Sequence, residues 1–184
     1  MKKSLNTKVS AKKIALCALF SAMALIAFTI ESLIPPIVIP GAKIGVSNIF
    51  ILLATICLGY PYGIAVLIVK VTLGSIFAGN ISSIMYSLPA GALALTCEIL
   101  LLYFAKKVSV IAVSVAGSVI NITAQNVVFC LVTKTSAYLC YLPYLALIGV
   151  VSGIAVGFAV YLCVKLMPNS AFSFSTNTHN KTEE

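Results

Sequence analysis

The stretch Ala11-Lys-Lys-Ile-Ala-Leu-Cys-Ala-Leu-Phe-Ser-Ala-Met-Ala-Leu-Ile-Ala-Phe-Thr-Ile-Glu31 decides the fold. A basic run closes at Lys13, and no charge follows until Glu31. Ala22-Met23-Ala24 imitates a signal-peptide cleavage site, but the apolar run continues past it to Ile30. Cys17 follows Leu16, not the small residue a lipoprotein site needs. The stretch therefore reads as an uncleaved first membrane helix, entered from a basic N-terminal tail.

The next segment does not continue that helix. It reads Glu31-Ser-Leu-Ile-Pro-Pro-Ile-Val-Ile-Pro-Gly-Ala-Lys-Ile-Gly-Val-Ser-Asn48. Pro35, Pro36 and Pro40 forbid a helix interior, while Ile34, Ile37, Val38 and Ile39 are too apolar for open water. Irregular backbone at membrane depth is tolerated only where protein or a watery cavity satisfies it. The segment is expected to fold down as a lid or wall on the outer face, or to lie as a partly buried interfacial loop.

Composition carries the class to the whole chain. Of 184 residues, 61% are hydrophobic and 9% charged, with a mean hydropathy of +1.12. A soluble domain is about a quarter charged, and disorder needs low hydrophobicity, so both are excluded. The fold class is an all-α integral membrane protein. Six transmembrane helices are predicted at about 14–33, 45–59, 61–79, 84–104, 108–132 and 138–166, with Gly59 and Pro61 turning the short second span into the third. The domain reading is a basic N-tail over 1–13, a six-helix membrane domain over 14–166 and a disordered C-tail over 167–184, rich in Ser, Thr and Asn.

All 12 basic residues are Lys. With the N-terminus inside, Lys2, Lys3, Lys8, Lys12, Lys13, Lys106, Lys107, Lys165 and Lys181 are cytoplasmic, against Lys43 and Lys134 outside and Lys70 within a span. This asymmetry predicts both termini in the cytoplasm of a plasma-membrane protein. The net charge is +8, and five of the 12 Lys lie in the first 13 residues, before an apolar run, a pattern that meets anionic lipid and not nucleic acid. The six Cys form no CxxC pair and read as small core residues.

Catalytic signatures are missing. The chain has no Asp, so it lacks the motifs by which a prenyl diphosphate synthase holds diphosphate through magnesium. It has no phosphate-binding GxxxxGK[ST] loop. Its single His, His179, lies in the tail, so no metal site and no cofactor is expected. The expectation is a binding protein and not an enzyme.

Polar residues inside spans are the candidates for function. Lys70 sits at the middle of span three and Glu98 near the inner end of span four, at levels that differ by roughly 7 Å. They read either as a buried ion pair, or Lys capping free carbonyls, or as a substrate or coupling contact. Ser114, Ser118, Asn121 and Gln125 share one face of span five. That face serves interhelical hydrogen bonds or a cavity for a polar organic ligand. Asn80, Tyr86, Tyr138 and Tyr141 cluster at the outer span ends, as an aromatic belt or as the wall of such a cavity. Small-residue stripes run along span one (Ala11, Ala15, Ala18, Ala22) and span six (Gly149, Gly153, Gly157), and either packs internally or docks a second membrane protein.

On Glu31-Ser-Leu-Ile-Pro, Pro40-Gly-Ala-Lys-Ile-Gly-Val-Ser-Asn48, Lys70-Val-Thr-Leu-Gly-Ser-Ile-Phe-Ala-Gly-Asn80 and Tyr86-Ser87, the chain resembles the Gx transporter family, also labelled heptaprenyl diphosphate synthase component I. The likeness covers about residues 14–166. The family often has His-Asn followed by Gln in span five, where this chain has Ile120 before Asn121 and Gln125. That family is similar in turn to the S components of energy-coupling-factor transporters. The resemblance implies an outward ligand pocket for a vitamin-like small organic molecule; the convergence of the Pro-rich segment, the polar face of span five and the outer span ends gives Glu31, Lys43, Asn48, Asn80, Tyr86, Asn121, Gln125 and Tyr141 as its candidate residues. It implies partners as well: a membrane coupling protein docked on the Ala stripe, and cytoplasmic ATPases. The label implies an alternative, a membrane accessory subunit in prenyl-quinone, isoprenoid or flavin-linked redox metabolism.

Overall fold

The computed structural model describes residues 11–33, 45–104, 108–134 and 136–166. Among them every regular element is helical: α1 (Ala11–Leu33), α2 (Asn48–Cys57), α3 (Tyr60–Phe77), α4 (Ser83–Phe104), α5 (Val110–Thr133), a 3-10 helix (Ser136–Tyr141) and α6 (Leu142–Leu166). Most of the Pro-rich stretch, with Lys43, lies outside the described residues, as do most of the basic N-tail and the C-tail.

Five helices are long and apolar enough to cross a membrane. The second is not. Its ten residues reach about 15 Å, half the thickness of the hydrocarbon. The full span expected at 45–59 is cut at both ends by turns. Gly45 (φ +78°) precedes α2 and Gly59 (φ +108°) follows it, in backbone regions a side chain disfavours. Pro61 then opens α3, where its missing N–H is not needed.

The helices close a ring in the order α1–α3–α4–α5–α6–α2, and α2 also packs on α3. From Ile51 to Cys57 every residue of α2 is buried, so its mostly apolar sequence covers a protein core and not lipid. Around it pack Phe20 and Ala24 of α1, Val66 and Val71 of α3, Leu95 of α4, and Val156 and Val160 of α6. The long helices turn Leu19, Ile26, Ile68, Leu93, Leu131, Val151 and Phe158 outward. An apolar girdle of this kind is stable against lipid tails and not in water.

Glycine sets the tightest seam. A Cβ at Gly149, Gly153 or Gly157 of α6 would stand 3.1, 2.6 or 2.7 Å from the Cα of Val119, Val115 or Ile111 on α5. The α6 stripe is therefore internal packing, the closer of its two expected uses. The α1 stripe is different: Ala11, Ala15, Ala18 and Ala22 are all exposed.

Candidate functional site

The end of the ring away from the termini is polar inside. Here α1 ends, α2 begins, and α3 and α4 meet through the Ser83 hydroxyl, which donates to Ser75 Oγ at 2.7 Å. A cavity of about 40 Å³ opens between Phe28 and Glu31 of α1, Ser47 and Asn48 at the start of α2, Lys70 of α3, Ser87 and Gly91 of α4, Ser118, Asn121 and Gln125 of α5, and Ser152 of α6. A water needs about 10–15 Å³ of such space, so the cavity has room for a few waters.

Local chemistry explains each placement. Glu31 accepts the backbone N–H of Val46 and the hydroxyl of Ser47, the latter at 3.1 Å. The carboxylate thereby ties the end of α1 to the turn that leads into α2, supplying acceptors to a backbone N–H and a hydroxyl that precede the helix. Lys70 is 6% exposed and donates to Asn48 Oδ1 at 2.6 Å. Its ammonium also lies 5.7 Å from the Phe28 ring centroid, a cation–π distance. Gly74 makes room for that ring, since a Cβ there would stand 2.4 Å from a Phe28 carbon. Gln125 Nε2 donates to Ser87 Oγ at 2.8 Å, joining α5 to α4.

The polar face of α5 is divided. Ser118, Asn121 and Gln125 line the cavity. Ser114 is buried without a hydrogen-bond partner for its hydroxyl and lies under α6, its Cβ 3.0 Å from where a Gly157 Cβ would be.

Glu98 forms a second polar point. It is 8% exposed and borders a smaller cavity of about 20 Å³ with Asn48, Leu67, Gly91, Gly117 and Asn121. Four of those residues, Asn48, Leu67, Gly91 and Asn121, also line the larger cavity, so the two are contiguous. The ion pair with Lys70 that the levels allowed is not formed as a direct contact. Lys70 turns to Asn48, and no described residue hydrogen-bonds Glu98.

Of the residues expected at a ligand site, Glu31, Asn48, Asn121 and Gln125 meet at the cavity, and Lys70 joins them. Asn80 is exposed, with its side chain near that of Tyr86. Tyr86 packs edge-on to Phe129 at 5.5 Å. Tyr141 is 44% exposed on the 3-10 helix. None of these three lines the cavity. The cavity adds Phe28, Ser47, Gly91 and Ser152 to those expected. Ser152 had a signal in sequence, since it sits beside Gly153 in an otherwise apolar helix. Phe28 had none, because an aromatic in an apolar run reads as core. Among the described residues no group of His, Cys, Asp and Glu is placed to hold a metal.

One family model, heptaprenyl diphosphate synthase component I, matches the chain over residues 20–162. No curated protein and no solved structure matches it.

Proposed function

The chain belongs to the heptaprenyl diphosphate synthase component I family, and from that membership and the polar cavity we propose that it is the solute-binding subunit of a membrane uptake system. It resembles an S component of an energy-coupling-factor transporter and would take a small, vitamin-like organic molecule. The observation that carries the reading is the convergence of Glu31, Asn48, Lys70, Asn121 and Gln125, from four helices, on one cavity inside an apolar ring. Such groups are costly in a membrane domain and mark pathways or ligand sites. The cavity, about 40 Å³, is smaller than the ~300 Å³ or more of ordinary ligand pockets. Binding requires the helices to part at that end. The proposal places the protein in the plasma membrane with both ends in the cytoplasm. It assigns energy supply to separate ATPases through a membrane coupling protein docked on the exposed Ala stripe of α1.

Native mass spectrometry of the purified protein tests this. A small molecule should be retained, and Asn121→Ala and Gln125→Ala should each lose it while expression holds. Losing one buried ligand-bonding amide costs ~1–3 kcal/mol, tenfold or more in affinity. Full retention by both variants rejects the site.

The family's description favours a second reading, a membrane accessory subunit for an enzyme of prenyl or quinone metabolism. Copurification separates the two. An ATPase complex supports uptake, and a soluble prenyl synthase or flavoprotein supports the accessory role.

A further inference from the structure

We propose that Glu98 is an intramembrane proton-binding site, a carboxyl group that takes up and releases a proton through the small cavity it shares with Asn48 and Asn121. Glu98 is 8% exposed on a helix whose neighbours are α3 and α5. No described residue donates a hydrogen bond to it. A carboxylate buried without donors is so costly that it either neutralises or finds a counter-charge.

The surroundings favour neutralisation by a proton. The cavity of about 20 Å³ has room for about one water, too little for an organic ammonium. A metal cation would need several oxygens. Besides Glu98, this cavity offers the side-chain oxygens of Asn48 and Asn121, and that of Asn48 already accepts from Lys70.

Space for the carboxyl group is built in. A Cβ at Gly117 would lie 2.0 Å from Glu98 Oε1, so only glycine on α5 lets the group stand there. The contiguous larger cavity is the route by which a proton passes between Glu98 and water at the polar end. The step is a simple association. The carboxylate gains one proton from water and returns it the same way, with no other bond made or broken.

The titratable groups facing Glu98 are few. Lys70 of α3 acts on it electrostatically, and Cys97 is its neighbour on α4. Tyr60 and Tyr62 stand at the start of α3. On α5, Cys130 and the C-cap residue Lys134 are each about 20 Å or more along the helix from Gly117. Among the described residues, Lys70 acts on Glu98 electrostatically while Glu31 of α1 lines the adjoining larger cavity, so the charge of Lys70 bears on the occupancy of this site.

The inference stands whether or not the ring binds a solute, and its test uses none. Infrared pH-difference spectra of the full-length protein in lipid nanodiscs should contain a protonated-carboxyl band that comes and goes with pH and is absent in Glu98→Gln. Lys70→Gln should strengthen that band at a fixed pH, because the cation favouring the ionised form is gone. Gly117→Ala, which displaces the carboxyl group, should shift the pH at which it appears. Should Glu98→Gln not fold, the Lys70 and Gly117 responses alone decide. A spectrum without the band, or a band indifferent to both changes, overturns the proposal. So does a band abolished by sodium at constant pH, which would make this a metal-ion site.

Discussion

Lys70 and Asn48, twenty-two residues apart, are joined by a 2.6 Å hydrogen bond from the ammonium to the amide oxygen. The contact ties the middle of α3 to the first residue of α2, the short helix buried among its neighbours. A Lys at mid-membrane is costly unless its charge has partners, and here the partners come from the cavity wall. The same bond therefore holds the short helix in place and keeps a cation beside the polar cavity.

Removing the acceptor should be felt as stability. Asn48→Ala is expected to cost about 1.5–3 kcal/mol, as for a hydrogen bond to a charged group. Asn48→Asp keeps an acceptor and should recover most of that loss. Thermal unfolding in one detergent measures both. Equal midpoints for wild type and Asn48→Ala would show that other partners of Lys70 suffice.

The glycine seam of α6 is expected to reject even a methyl group. In Gly153→Ala the new Cβ would lie 2.6 Å from Val115 Cα, a backbone atom, and overpacking of this kind costs about 1–3 kcal/mol. Ala155→Leu, on the exposed face of the same helix, should be nearly neutral. A stability scan that finds the two variants alike would mean α5 and α6 do not pack this closely.

The alanine stripe of α1 should behave in the opposite way. Ala18 and Ala22 are exposed, so Ala18→Leu and Ala22→Leu should change the stability of the isolated protein by no more than about 0.5 kcal/mol. If the stripe docks a second membrane protein, the added branch holds the two helices apart, and copurification of the partner should fall. Undiminished copurification assigns the stripe to lipid.

Topology has a direct readout. Cys140 is exposed on the 3-10 helix between α5 and α6, at the ring end opposite the C-terminus of α6. In intact cells an impermeant thiol reagent should label wild type but not Cys140→Ser, and a reporter fused after Glu184 should report cytoplasm. Labelling of Cys140 only after lysis would invert the orientation.

Much of this protein follows from its sequence by itself. The long apolar stretches fix the membrane class and the approximate places of the long helices, because hydrocarbon admits mostly apolar side chains and internally bonded backbone. The spacing of Ser118, Asn121 and Gln125 fixes a polar face on α5, because helical periodicity is local. Which use each feature serves was decided only by the tertiary structure. The second apolar run is a buried helix of half the expected length, since turns at Gly45 and Gly59 stop it and neighbouring helices cover it. The Gly stripe meets α5 while the Ala stripe stays exposed. Lys70 pairs with Asn48 and leaves Glu98 to its own cavity. In each case residues far apart in the chain compete for one place. That competition is settled by distances across the ring, which no pattern along a single helix contains.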